Sequence, residues 1–247
     1  MMKHLSKFLE TFKILYSLGI SPLYIFKKGS SLSSVRIVYS FKKLIQKDID
    51  TLIDVGANQG QFALAWKKFY PHSRIFSFEP VPETFRKLKA NTKTFSKIST
   101  LNIALGSKAG KLSIYKNGHS HASSFLKVSQ FQREHIPATV HEKPEEVSVS
   151  TLDAMSEELG NLGCSVMKLD VQGFEREVLI GGAGVLKRID FLIIEMSFRP
   201  MYEGELLFEK MDEFLKECGF RIVAPLGFLQ TNDLQIPQID FLYQRHN

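Results

Sequence analysis

From residue 50 onward the sequence predicts an α/β domain, a mostly parallel sheet with helices on both of its faces. Two observations carry this reading. Short apolar runs alternate with amphipathic stretches of helical period, and a glycine-containing turn falls directly between the first such run and the first such helix. Strands are expected at residues 51–55, 74–78, 98–103, 166–171, 191–195 and 220–223, with a last one at 239–244. Residues 60–70, 82–95, 174–188 and 205–218 place apolar side chains three and four apart, as crossover helices require.

The interval 106–150 breaks this alternation. Gly, Ser, His and Pro are frequent there, and residues 111–115 alternate as one arm of a hairpin does. It reads as an insertion at the carboxyl side of the sheet, where specificity is commonly built, and so is expected to border the active site; a plain surface excursion is the alternative. The expected organisation is a basic helical extension over 1–48 and one domain over 49–247 that carries the insertion.

With 44% apolar and 23% charged residues, the 247-residue chain is neither disordered nor membrane-spanning in composition. Its net charge of +6 is a property of one end. Residues 1–48 hold 9 Lys/Arg against 2 Asp/Glu, while the rest holds 23 against 24. A near-neutral domain offers no basic footprint for nucleic acid, which is not expected as a partner. The cysteines, Cys164 and Cys218, form no CxxC pair, in keeping with a reducing, cytoplasmic compartment and no thiolate-bound zinc. In the first twenty residues Leu5, Phe8, Leu9, Phe12, Leu15 and Tyr16 fall at helical spacing, with Lys3, Lys7, Glu10 and Lys13 largely opposite. Those charges interrupt any secretory or spanning run. The helix is expected to pack on the domain or on a second copy of the chain, or to touch a membrane surface.

The chemistry begins at Asp54-Val55-Gly56-Ala57-Asn58-Gln59-Gly60, between a strand and a helix. Gly56 and Gly60 permit a sharp turn and close approach of a ligand; the helix start, with Asn58, offers N–H groups to a carboxylate, and Asp54 can accept from an ammonium. A ligand with an amino acid end answers both halves. Phe78-Glu79-Pro80 closes the second strand with an acid 23 residues after Gly56, placed to take both hydroxyls of a ribose. A nicotinamide site would instead show GxGxxG and a pyrophosphate cradle. Asn102-Ile103-Ala104-Leu105-Gly106 offers a small residue, Ala104, to an adenine edge. Asp170, at the end of the fourth strand, flanks the crevice opposite Asp54, and Glu175 stands near the start of the next helix.

DVGANQG, FEP, NIALG, KLDVQGFE and IIEMS, in this order and spacing, together with the step Ser150-Thr151-Leu152-Asp153, resemble the FkbM family of methyltransferases over roughly residues 50–225. The resemblance implies a Rossmann-like class I methyltransferase fold with an antiparallel last strand. It also implies S-adenosylmethionine as donor and a hydroxyl acceptor on a sugar, glycan or natural product. Where the family often has Glu, this chain has Gln172.

In-line methyl transfer needs an aligned acceptor oxygen and a group to take its proton. The candidates are Asp170, Glu195 and, from the insertion, His119 or His121; Ser123 and Ser124 could hold acceptor hydroxyls or cap a turn. Histidines 119, 121, 135 and 141 match no metal-ligand spacing, so no metal is expected. The alternatives are a nucleoside-binding module without catalysis, against which Asp54, Glu79 and Asp170 argue, and an NAD-dependent oxidoreductase.

Overall fold

The computed structural model describes Lys13, Tyr16 and residues 31–117, 123–136 and 142–246. Most of the first-twenty-residue helix and both His119 and His121 lie outside them. Helix α1 (Leu32–Ile45) is opened by Ser31, whose hydroxyl accepts from the Ser34 amide, and closes with Lys42 and Lys43 in its last turn.

Seven strands form the main sheet: β1 (Thr51–Val55), β2 (Arg74–Phe78), β3 (Ile98–Leu101), β7 (Ser165–Leu169), β8 (Phe191–Ser197), β9 (Phe220–Leu229) and β10 (Gln238–Arg245). Their spatial order is β3-β2-β1-β7-β8-β10-β9. All neighbours pair in parallel except β10, which runs antiparallel to both β8 and β9. The order reverses between β1 and β7, which opens a crevice at their carboxyl ends.

Period-2 alternation sends β-strand side chains to two apolar layers. On one face Ile53, Met167, Leu192 and Ile194 meet Leu179 of α6 (Glu175–Ile180) and Leu215 of α8 (Phe208–Glu217). On the other, Leu52, Val166, Ile193 and Leu242 meet α1 and Trp66 of α2 (Gln61–Phe69). Within the stretch 1–48, α1 is thus part of the packed structure: Phe41 lies 5.3 Å from the Trp66 ring and 5.8 Å from that of Phe191.

Two expected elements end early for identifiable reasons. The third strand stops at Leu101 because Asn102 turns its amide back onto the carbonyls of Glu79 and Pro80, after which β4 (Ala104–Leu105) joins a second sheet. The helix expected over 174–188 divides into α6 and α7 (Ala183–Leu186) around Gly181, where a Cβ would stand 1.9 Å from the Gly106 carbonyl oxygen. In the insertion, β5 (Gly110–Asn117) pairs antiparallel with β6 (Glu142–Ser150), and β4 pairs parallel with β6. Val81, Ile114, Val147 and Val149 form the core beneath this small sheet, close to α3 (Pro82–Thr92). The short helices α4 (Gln130–His135) and α5 (Ser156–Leu159) complete the chain. Among the described residues no helix is long and apolar enough to cross a membrane.

Candidate active site

The turn after β1 is shaped by three left-handed residues, Gly56, Asn58 and Gly60. The amides of Gly56 and Ala57 donate to the Phe78 carbonyl, which ties the turn to the end of β2. Glu79 completes the tie. One of its oxygens accepts from the Asn58 amide and the other from the Val81 amide, each at 2.9 Å. Burial pushes its pKa up to about 7, against the pull of those two N–H groups. Each carboxylate oxygen retains a second lone pair for a ligand hydroxyl.

These residues border a cleft lined by Gly56, Asn58, Glu79, Ala104, Asp170 and Gln172, with walls of Phe78, Val81, Ile103, Leu105, Ile114 and Phe125. The insertion therefore borders the site through Ile114, Ser123 and Phe125. Gly60 lines no part of it: a Cβ there would meet Leu88 and Thr92, so this glycine serves the packing of α2 on α3. Asp54 lies behind the lining, fully buried, with neither oxygen hydrogen-bonded. Burial raises its pKa to about 6, partly offset by Lys168, whose ammonium is 4.0 Å away.

A second cleft shares Gly56, Asn58, Asp170 and Gln172 with the first and continues to Ser33, Ser34, Gln132, Glu195, Gln238 and Asp240. Asp170 is held from two sides, by Lys168 at 3.0 Å and by the Gln172 amide at 2.6 Å. The same Gln172 nitrogen donates to Glu195 at 3.0 Å, and the Gln238 amide donates to that carboxylate at 3.1 Å. Tyr202, fully buried, donates to the side-chain Oε1 of Gln172 at 2.6 Å and so fixes which end of the amide faces the acids. Burial, reinforced by Asp170 and Asp240, holds Glu195 well above the usual carboxylate range. Burial would lower Lys168, but Asp170 and Asp54 outweigh it and keep the ammonium charged.

Most sequence candidates thus converge, with Asp54 behind the clefts and Gly60 outside them; His121 lies outside the described residues. Ser124 is already engaged, donating to the backbone carbonyl of Gln172 and accepting from the Leu126 amide. Glu175 holds the loop after β7 by accepting from the Val171 and Gly173 amides. Among the described residues no group of His, Cys, Asp and Glu could hold a metal ion. Sequence reasoning does not find Tyr202, Gln238 or Asp240. The signal for Asp240 was an acid at an inward position of an alternating strand, two residues from the core residue Leu242.

The model of the methyltransferase FkbM domain matches residues 54–222. The chain belongs to the FkbM methyltransferase family. Among its relatives, the 2-O-methyltransferase NoeI of Sinorhizobium fredii is 24% identical over 198 residues, covering 78% of this chain and 81% of that protein. The hexuronic acid methyltransferase AglP of Haloferax volcanii is 29% identical over 153 residues, 60% of this chain and 56% of that one. In fold, the chain resembles the magnesium protoporphyrin IX methyltransferase ChlM of Synechocystis, solved with bound S-adenosylmethionine, at a TM-score of 0.50 and 10% identity over 87% of this chain and 77% of that one. The strand order and the antiparallel last strand agree with a class I methyltransferase fold.

This FkbM-family chain is an S-adenosylmethionine-dependent methyltransferase. The residues present fit that donor. The buried Asp54 carboxylate lacks a hydrogen-bond donor, Glu79 has lone pairs left for a ribose, and the first cleft has apolar walls for a base. A Cβ at Gly56 would stand 2.0 Å from the Asp170 carbonyl oxygen, so this glycine is needed where two loops of the chain meet.

Proposed function

We propose that this methyltransferase acts on a hydroxyl oxygen of a sugar, glycan or other polyhydroxylated acceptor. One observation carries the reading. The second cleft sets hydroxyl, carboxamide and carboxylate side chains among apolar ones such as Ile37, Phe62, Met201 and Leu229, and it opens onto the first at Asp170, the one carboxylate among the described residues that lines both. Such a lining complements several hydroxyl groups at once. The 2-O-methyltransferase among the relatives supports an oxygen acceptor, and the hexuronic acid methyltransferase supports a sugar.

Bound in the first cleft, S-adenosylmethionine supplies an electrophilic methyl group. Asp170 orients the acceptor hydroxyl and takes its proton as the new bond forms, while Lys168 and Gln172 keep the carboxylate in place. Glu195, which lines only the second cleft, is the alternative proton acceptor. The basic first twenty residues support a contact with a membrane surface or with a second copy of the chain, and the unpaired Cys164 and Cys218 support a cytoplasmic setting.

Methyl-labelled donor incubated with sugars, glycans and polyhydroxylated natural products tests the acceptor class. Label in a base-stable methyl ether is expected. Label confined to a base-labile ester or to nitrogen would contradict it.

A further inference from the structure

We propose that Asp240 is a second anchor for the acceptor. Its carboxylate accepts a hydrogen bond from a remote hydroxyl of the molecule whose reacting hydroxyl faces Asp170, so the enzyme selects acceptors with two hydroxyls held one sugar ring apart. The inference rests on the acceptor reading above and narrows it.

The sheet sets the spacing. Leu169 pairs with Ile194, one residue before Asp170 and Glu195, and Glu195 pairs with Asp240 across to β10. The acids of the end of β7, of β8 and of β10 therefore stand in one row across adjacent strands. Each lies an even number of residues from Val166, Ile193 or Leu242, so all of them belong to the face that α1 covers. Two inter-strand steps separate Asp170 from Asp240, about 10 Å along the floor of the second cleft, which both line. A pyranose ring with a hydrogen bond at either end fills such a span. The acid between them, Glu195, is already engaged by the Gln172 and Gln238 amides.

The surroundings of Asp240 are shaped to its carboxylate. Its partner on β9 is Gly227, where a Cβ would stand 2.8 Å from Asp240 Oδ2 and 3.3 Å from Ile37 Cγ1. This glycine has no left-handed φ to satisfy, so what it supplies is space. An extra residue of β9, Leu226, falls between the partners of Asp240 and Phe241, a bulge that bends the strand at this level and re-aims its side chains. Among the described residues no hydrogen bond reaches the Asp240 carboxylate, and Lys168 acts on it through charge. A carboxylate lining a cleft in this way gains a partner when a ligand hydroxyl arrives. Ile37 and Leu229 line the same cleft and offer apolar surface to the C–H face of a ring.

Ile37, Gly227 and Asp240 all lie outside residues 54–222, so acceptor recognition here draws on segments beyond the matched family domain. Asp170 stays with the reacting oxygen, while Asp240 holds the far side of the ring and thereby fixes which hydroxyl is presented for methylation.

Turnover of methyl-labelled S-adenosylmethionine by the full chain on the methyl glycosides of glucose, galactose, mannose and rhamnose, each beside its monodeoxy derivatives, tests this. Mass spectrometry locates the new methyl group. With a glycoside that is methylated, loss of one hydroxyl away from the methylated position should lower kcat/KM about tenfold or more in the wild type. In Asp240→Ala the same loss should cost less than about twofold, because its partner is already gone, while affinity for S-adenosylhomocysteine stays at the wild-type value and reports folding. Asp240→Asn keeps an acceptor oxygen without the charge and should fall between the two. A wild type indifferent to every remote hydroxyl would overturn the inference even if neither variant folds. So would an equal cost of the remote hydroxyl in wild type and Asp240→Ala, or transfer to larger polyhydroxylated acceptors but to none of these glycosides. Transfer to no hydroxyl of any acceptor would instead remove the acceptor reading itself, and this inference with it.

Discussion

Gly56 lies against the backbone of Asp170: a Cβ added to the glycine would stand 2.0 Å from the Asp170 carbonyl oxygen, and its φ of +79° is one that side chains resist. The turn after β1 and the loop after β7 are therefore seated on one another, and both clefts depend on that seating. Gly56→Ala should force them apart, lowering stability by about 1 to 3 kcal/mol and donor affinity by about tenfold or more. Calorimetry with S-adenosylhomocysteine and a thermal melt measure the two effects; wild-type values in both would show that the contact does not shape the site.

Glu79 holds two backbone amides as well as facing the cleft, so its removal acts twice. Glu79→Ala leaves the Asn58 and Val81 N–H groups without their acceptor, at about 1 to 3 kcal/mol each if no water replaces it, and removes the acceptor for a ribose. A lower melting temperature together with donor affinity reduced about tenfold or more is expected. A variant that melts lower yet binds S-adenosylhomocysteine as tightly as the wild type would confine Glu79 to the backbone role.

Gln172 keeps two acids facing one amide nitrogen. Gln172→Glu replaces those two donated hydrogen bonds with repulsion from Asp170 and Glu195, and turnover should fall about tenfold or more with its pH optimum moved upward. Tyr202→Phe loses only the hydroxyl that orients the amide, and a drop of about three- to tenfold is expected. An unchanged pH profile in Gln172→Glu would show that the amide does not set the charge state of the pair.

Burial raises the carboxyls of Asp54 and Asp240 to about 6 and those of Glu79 and Glu175 to about 7. A carboxyl whose folded-state pKa lies above its unfolded value stabilises the fold fully below the unfolded value, and that contribution is lost as pH rises through the folded one. From these groups the ligand-free protein should lose thermal stability between about pH 4.5 and pH 7. S-adenosylmethionine, binding the folded form, should restore part of it at the upper end. A melting temperature that climbs steadily across this window would contradict the raised values.

Much of the fold and site is legible in the sequence because local pattern and chain topology coincide. The strand over 51–55 and the turn from Asp54 to Gly60 are adjacent in the chain, and the acid at Glu79 closes the next strand, so spacing alone places them. What escapes depends on tertiary contact. Tyr202 reaches Gln172 from a loop pinned by the Val128–Tyr202 bridge, and nothing near either residue in sequence announces the pair. Asp240 joins the acids only because β10 reverses direction and sets it against Glu195. At Gly60 it is the distant Leu88 and Thr92 that hold the space a Cβ would take, a contact that spacing does not announce.

In the proposed mechanism Asp170 takes the acceptor's proton, since it alone among the described carboxylates faces both clefts. Asp170→Asn keeps the shape of the side chain and removes its basicity. The most direct measurement is turnover of methyl-labelled S-adenosylmethionine on a hydroxyl acceptor at saturating donor, wild type against Asp170→Asn, with donor affinity measured beside it. Turnover should fall about 10²-fold or more while donor affinity changes far less. Wild-type turnover in the variant would contradict the role of Asp170 as proton acceptor and leave Glu195 to take the proton.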